Sequence, residues 1–571
     1  MKWVSKLDAS VARSPLGRWF RLEGCGRRAE RTGSRFSVEL RAGLTTFVTM
    51  AYIISTNALI IADSGGPCNC DRGAFGPTCD GDPAYAQCLQ GVKQDLITAT
   101  CAIACIACVL MGLLANLPIA LAPGMGLNAY FAYTVVGFHG SGKVSYENAL
   151  AAVCIEGIIF FVLSLVGLRQ WFARMIPAAL KTATGAGIGL YLAFIGLQSS
   201  AGIGLITADP ATLVKLGGCA PEYRNKDNVC TGHSMEGGQT WLGVMGLVVI
   251  AVLMLYRVRG AVLAGIALVA IVSWPRPTAV TYFPYTPAGD EAFAFFKKVV
   301  TFHPIQHTLA KFQWDLSSGD FWVALITFLY VDILDCTGTM FSMAKFGGYM
   351  DDETQDFEGS SMAFLVDSAC ITVGSVLGSS PVTAFIESGA GIAEGARTGI
   401  AAVATGFLFF IALFFAPIFA SFPPWATGPA LIIVGSMMMK NVTQINWRYL
   451  GDAFPAFVTI IMIPLSYSIG YGLIAGIGTF VAINSLAFIL HKASSGRIAP
   501  HNYEERDDWV GFVSRGGFSS NIPGWLRWLA SRRRASKSER HAAASIPPAS
   551  DVDSAAELKD IAVDPPLRLA L

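Results

Sequence analysis

The chain has 571 residues, 53% of them hydrophobic and only 14% charged, with a net charge of +1. A soluble globular chain carries about a quarter charged residues, so that class is excluded, and the balanced charge gives no case for a nucleic-acid partner. Apolar blocks recur at the length of about twenty residues that a helix needs to cross about 30 Å of hydrocarbon, which makes the fold class an all-α polytopic membrane protein.

Residues 1–37 are basic and lack the apolar core of a signal peptide, so they read as a cytosolic tail. Apolar segments follow at 38–62, 95–115, 117–138, 148–168, 178–204, 239–256, 260–275, 321–343, 360–378, 379–396, 398–419, 426–440, 453–469 and 471–491, about fourteen crossings. With the amino terminus inside, the short inner loops hold Arg169, Arg174 and Lys181, then Arg257 and Arg259, Lys345, Arg397, and Lys440 with Arg448. That excess of inner positive charge predicts cytosolic amino and carboxyl termini. It also puts outside the 276–320 connection and two cysteine-bearing loops, one with Cys68, Cys70, Cys79 and Cys88, the other with Cys219 and Cys230. Outward-facing cysteines crowded in polar loops are expected to form disulfides, with the pairing left open. Cys101, Cys105, Cys108, Cys154, Cys336 and Cys370 fall in apolar segments and read as small buried hydrophobes. The end of the chain, 493–571, is too polar to bury a core and is expected to be a disordered cytosolic tail.

Two segments differ from the rest. "LPIALAPGMGLNAYFAYTVVG" has Pro123 followed by Asn128, and "SSPVTAFIESGAGIAEGARTG" has Pro381 followed by Glu387, each among glycines. They are the third and tenth of the crossings, equivalent places in two sevens, and an odd repeat must run inverted the second time. Paired interrupted segments point to the central site of a transporter, made of short extended pieces followed by half-helices.

The eighth segment, "FWVALITFLYVDILDCTGTMFSMAKFGG", carries Asp332 and Asp335. An acid at mid-membrane costs about 2.5–3.5 kcal/mol, and no lysine or arginine is expected at matching depth. Such acids mark substrate or proton pathways. Structural alternatives stand beside this reading. Asp335 could bond the nearby Thr337 or Thr339, and Asn128 could serve as the cap of its half-helix. Glu394 and Arg397, three apart, read as an interfacial pair.

"AGLTTFVTMAYIISTNALI", "APGMGLNAYFAYTVVG", "VDILDCTGTMFSMAKFGG" and "SSPVTAFIESGAGIAEGARTG" together resemble the AzgA-like branch of the nucleobase transporters, the adenine–guanine–hypoxanthine permeases, from about residue 36 to 492. The resemblance implies a uracil-permease-like fold of 7+7 inverted repeats with a core and a gate domain. Mapped onto this chain, it divides the core into 38–172 and 321–419 and the gate into 173–275 and 420–492, with 276–320 as the extracellular connection. It implies proton-coupled purine uptake at the plasma membrane without an enzymatic activity or cofactor. Substrate contacts would come from Asn128, Asp332 and Glu387, and proton coupling from Asp335 and Glu387. The chemistry suits a purine, because a carboxylate accepts two adjacent N–H bonds and an amide serves a mixed edge. Phe131 and Phe385 could stack on the ring, and relatives with this fold often form homodimers. Xanthine, urate or uracil on the same fold is the nearest alternative. An anion exchanger fits poorly with Glu387, an intramembrane protease fits poorly with two aspartates on one helix, and a scaffold that has lost transport would tolerate acid-to-amide changes.

Overall fold

The computed structural model describes residues 2–506 apart from 27–29, 70–78, 80–81, 168–176, 200–201, 210, 221–222, 224–228, 352–355, 496 and 498. Arg169, Arg174, Cys70 and most of the carboxyl-terminal tail lie outside the described residues. Helices dominate, and among the described residues seven are long and apolar enough to span a membrane by length and composition alone.

Elements occupy all fourteen of the expected positions in order. Crossing 1 is broken into Phe36–Met50 and Ile53–Ala62. Crossing 2 is Pro83–Leu110, extended by a wider helical turn Met111–Ala115. Crossing 3 is the strand Leu121–Pro123 followed by the helix Met125–Ala129 and a wide turn Tyr130–Val135. Crossing 4 is Tyr146–Val166, crossing 5 Ala178–Leu197, crossing 6 Gly238–Leu255 and crossing 7 Ala261–Ser273. The second half repeats the pattern, with crossing 8 at Gly319–Gly347 and crossing 9 at Ser360–Val376. Crossing 10 is again a strand and a short helix, Val382–Ala384 and Ser388–Ala393. Crossings 11 to 14 are Gly399–Phe414, Pro424–Met438, Leu450–Leu465 and Ile469–Ala493.

Local sequence explains where these helices start and stop. Asp82 caps crossing 2 by accepting from the Ala84 and Tyr85 amides at 2.9 and 3.3 Å, and Pro83 occupies the first helical position. Ser145 caps crossing 4, and the left-handed Gly167 ends it. Crossing 2 begins twelve residues before the apolar block at 95, because its first turns hold Gln87, Gln90, Lys93 and Gln94. The two charges there are answered by distant chain. Lys93 donates to the Tyr282 hydroxyl at 2.5 Å and the Ala420 carbonyl at 3.2 Å. Asp95 accepts from the amides of Gln306 and His307 at 2.9 and 2.5 Å and lies 2.9 Å from His303 Nε2.

Crossings 1 to 4 pack chiefly against crossings 8 to 11, while crossings 5 to 7 pack against 12 to 14. Close approach between crossings 2 and 11 depends on a facing glycine pair. A Cβ on Gly112 would lie 2.4 Å from the Gly399 carbonyl oxygen, and one on Gly399 would lie 2.1 Å from that of Gly112. Small residues are the usual means by which membrane helices approach backbone to backbone. The cysteine loops carry disulfides Cys68–Cys88 and Cys219–Cys230, and Cys79 is disulfide-bonded as well. Cys101, Cys108, Cys154, Cys336 and Cys370 are free and buried, and Cys105 is free and partly buried.

Candidate functional site

The two broken crossings meet. Strands Leu121–Pro123 and Val382–Ala384 pair antiparallel, with Leu121 opposite Ala384 and Pro123 opposite Val382. Backbone bonds extend the pairing on both sides, from the Gly124 amide to the Pro381 carbonyl at 2.9 Å and from the Phe385 amide to the Ala120 carbonyl at 3.1 Å. The Ala120 amide is taken up by the Ser388 hydroxyl at 3.0 Å. Extended backbone inside a membrane must have its polar groups satisfied within the protein, and this two-stranded contact does so for both halves at once. Pro123, opposite Val382, sits between the bonded pairs, where its missing N–H costs no ladder bond.

Two serines ahead of Pro381 fasten the entry to crossing 10. Asn57 of crossing 1 donates to the Thr100 hydroxyl at 2.7 Å and to Ser379 Oγ at 3.3 Å. Ser380 donates to Oδ1 of Asn128 in crossing 3. Asn128 is fully buried, and its Nδ2 lies 3.9 Å from Met125 Sδ. Its carbonyl oxygen therefore ties the two half-crossings together.

Glu387 is only partly buried, and its chain turns into the helix Ser388–Ala393 immediately after it. Tyr52, at the break in crossing 1, donates its hydroxyl to Glu387 Oε1 at 2.8 Å. Asp335 is also partly buried and stands beside Thr383, within electrostatic reach of Glu387 and Asp367. One turn further along crossing 8, Gly338 is exposed, with no atom within 4 Å of where a Cβ would sit. An accessible face thus runs past Asp335, Gly338 and Glu387. Among the described residues no lysine or arginine forms an ion pair with either acid.

Asp332 lies on a different side of the same helix. It is fully buried, and its carboxylate, the Cys336 thiol and the Asp367 carboxylate lie within 4.8 Å of one another. The Cys336 thiol donates to Asp367 Oδ2 at 2.9 Å. Asp367 of crossing 9 thus lies within reach of both aspartates of crossing 8, and Asp335 faces Thr383 and Glu387 of crossing 10 as well. Phe131 is closed off between Tyr146 and Phe328, with centroids at 5.6 and 6.2 Å, and Phe385 is 6% exposed. Glu394 does not pair with Arg397. It binds Arg41 at 3.3 Å and Arg259, while Arg397 donates to the Gly347 carbonyl at 2.7 Å, because the helix turns away after Ala393 and the two side chains diverge.

Tyr52, Ser379, Ser380 and Asp367 are additions to the residues read from sequence. Asp367 was open to the same rule as Asp332, an acid inside the apolar run "SSMAFLVDSACITVGSV". Nothing local marks Tyr52, whose partner is 335 positions away. A further cluster joins crossings 3 and 5 to the link between crossings 13 and 14. Tyr467, with a left-handed φ of 54°, is edge-on to Tyr133 and Tyr191 at 5.9 and 5.1 Å. Its hydroxyl donates to Gln198 at 2.7 Å, and its carbonyl accepts from the Thr134 hydroxyl at 2.5 Å.

Two inverted sets of seven crossings, each with a broken member that meets its counterpart in the interior, define a multi-pass membrane transporter of the uracil-permease-like class. The solved structure of SLC26A9 shares this fold with a TM-score of 0.50 at 11% identity, covering 86% of this chain and 70% of that one. A family profile described as Permease family matches residues 83–221 and 227–474. A Schizosaccharomyces pombe protein with the provisional name xanthine/uracil permease is 56% identical over 92% of this chain and 84% of its own length. The Aspergillus versicolor protein named efflux pump notK' is 56% identical over 92% of this chain and 91% of its own. The guanine/hypoxanthine permease PbuG of Bacillus subtilis is 36% identical over 78% and 90%. The chain belongs to this permease family, among the nucleobase permeases.

Proposed function

We propose that this permease carries purine nucleobases, hypoxanthine, adenine and guanine, together with protons across the plasma membrane by alternating access, with both termini in the cytosol. The observation that carries the reading is the pair of accessible acids, Glu387 and Asp335, brought together on broken crossing 10 and crossing 8 with no cation between them. Neighbouring carboxylates cannot all remain ionised in a confined site without compensation. A proton and the N–H groups of a neutral base supply that compensation together. Glu387, held by Tyr52, accepts ring and exocyclic N–H groups, and Asp335 carries the proton with it. Asp332 acts behind them through Cys336 and Asp367, and Asn128 holds the half-crossings in register beneath the base. Phe385 is the remaining candidate for a ring contact, since Phe131 is already enclosed by two aromatic rings. The core, 38–172 with 321–419, then moves against the gate, 173–275 with 420–492.

The energy is sufficient. One proton entering with a neutral base moves one charge, worth about 2.3 kcal/mol at 100 mV, which sustains roughly fifty-fold accumulation at about 1.36 kcal/mol per decade. The purine reading is supported by relatives named for guanine/hypoxanthine and adenine, and the xanthine/uracil reading by the name of the fission yeast relative. Uptake of labelled hypoxanthine, adenine, guanine, xanthine and uracil in cells lacking their own carriers tests both. Concentrative uptake of the first three, collapsing with the proton gradient, is expected. Xanthine or uracil alone would transfer the assignment to the second reading.

A further inference from the structure

The amino-terminal helix Lys2–Arg13 has three distinct sides. At 100° per residue, Trp3, Leu7, Val11 and Val4 fall within one quadrant or little more, Lys6 and Arg13 fall together nearly opposite Val4 and Val11, and Asp8 and Ala12 fall between. The last side is the one held by the protein. Ala12 is buried in a cluster with Phe20, Leu22 and Ile400, and Asp8 accepts from the Ser37 amide and hydroxyl, both at 2.8 Å. Val11, at the carboxyl end of the apolar side, packs against that cluster, and the rest of the side is left uncovered, with Trp3 75%, Val4 40% and Leu7 37% exposed. The short helix after it, Pro15–Phe20, continues the pattern with exposed Leu16 and Trp19.

The position of this surface says what covers it. Trp19 donates its indole N–H to the Leu113 carbonyl at 3.0 Å. Leu113 and Leu114 end crossing 2 and are themselves exposed, on the flank that a spanning helix presents to lipid. The uncovered side of the amino-terminal helices is therefore continuous with the lipid-facing belt at one membrane boundary. Tryptophan is the residue that favours this depth. Lys6, Arg13 and Arg18 are placed to meet headgroups, and each basic residue near an anionic surface adds about 1 kcal/mol of attraction. We propose that residues 3–19 form an interfacial anchor, lying flat in the headgroup layer with Trp3, Val4 and Leu7 in the acyl boundary and the basic side on anionic phospholipid. Ion pairs of Arg21 and Arg31 with Glu358, and Arg31 bonds to the carbonyls of Asn116 and Arg397 at 2.7 and 2.6 Å, tie the anchor to the core crossings that flank the candidate site. The anchor thus fixes those crossings relative to one leaflet.

The test uses the full chain in nanodiscs, comparing tryptophan emission of the wild type with that of Trp3→Phe to isolate the Trp3 component. With brominated acyl chains in a bilayer of mixed phosphatidylcholine and phosphatidylserine, that component is expected to lose most of its intensity and to resist aqueous iodide. In the double variant Lys6→Glu with Arg13→Glu, itself compared with and without Trp3→Phe, the component should shift to the red and regain iodide quenching. A Trp3 component open to iodide and untouched by bromine in the wild type overturns the proposal. Shielding that arises only when cytosolic extract is added assigns the face to a protein partner and overturns it equally.

Discussion

Crossings 3 and 10 have the same construction, a three-residue strand after a proline-containing approach and then a short helix, yet they present different chemistry. Crossing 3 offers Asn128, neutral, fully buried and engaged by Ser380. Crossing 10 offers Glu387, ionisable, partly accessible and engaged by a tyrosine from crossing 1. An inverted repeat supplies matched backbone geometry, and the sequence then assigns one half to holding and the other to exchange. The difference teaches that a broken crossing is a mounting, and that the residue placed on it decides whether it acts on cargo.

Exchanging the character of the two mountings is the most severe way to break this comparison. Glu387→Gln keeps the shape and removes the charge, so accumulation should fall from up to roughly fifty-fold to no more than equilibration, with normal surface delivery measured alongside. Asp335→Asn should come next, with uptake surviving at a reduced rate while its dependence on external pH flattens. Removal of a hydrogen bond to a charged group costs about 1.5–3 kcal/mol, so Tyr52→Phe should weaken apparent substrate affinity by about ten- to a hundred-fold while leaving maximal rate less affected. On the holding side, Asn128→Ala and Ser380→Ala should each lower stability by about 1–3 kcal/mol, read as a loss of melting temperature in detergent. The double variant should cost little more than either, because both remove one interaction. Additive losses would show that the two side chains do not act as a unit.

The smallest effect is expected far from either mounting. In the hairpin of Ile206–Asp209 and Leu213–Leu216, the Ala211 amide, then the Lys215 side chain and the Thr212 amide, hold the Asp209 carboxyl down at about 2. A depressed carboxyl stabilises above its unfolded pKa of about 3.9 and loses that contribution as pH falls toward the folded value. Hairpin amide exchange should therefore quicken only in that acid range, and Asp209→Asn should leave transport at neutral pH unchanged.

Much of the arrangement could be read along the chain. Proline, glycine and a polar side chain inside an apolar block mark crossings 3 and 10 directly, since no regular spanning helix accommodates them together. The facing of crossing 8 could not be read the same way. Asp332 and Asp335 are three positions apart and both come within reach of Asp367, and what marks out Asp335, its closeness to Thr383 and Glu387, is supplied by the distant crossing 10. The start of crossing 2 escaped for a related reason. Lys93 and Asp95 look too polar for a span until Tyr282, Ala420, His303 and His307 arrive from about two to three hundred residues away. Helical spacing does not carry across the turn after Ala393, so Glu394 meets Arg259, from between crossings 6 and 7, and not Arg397.

The central claim is that Glu387 and Asp335 jointly hold a base and a proton. The most direct measurement is proton movement during hypoxanthine uptake, followed in proteoliposomes with an internal pH dye and an imposed potential. The account predicts acidification that tracks hypoxanthine entry in the wild type and is absent in Glu387→Gln at equal protein incorporation. Undiminished, base-dependent acidification in that variant, or hypoxanthine accumulation with no proton movement in the wild type, would contradict it.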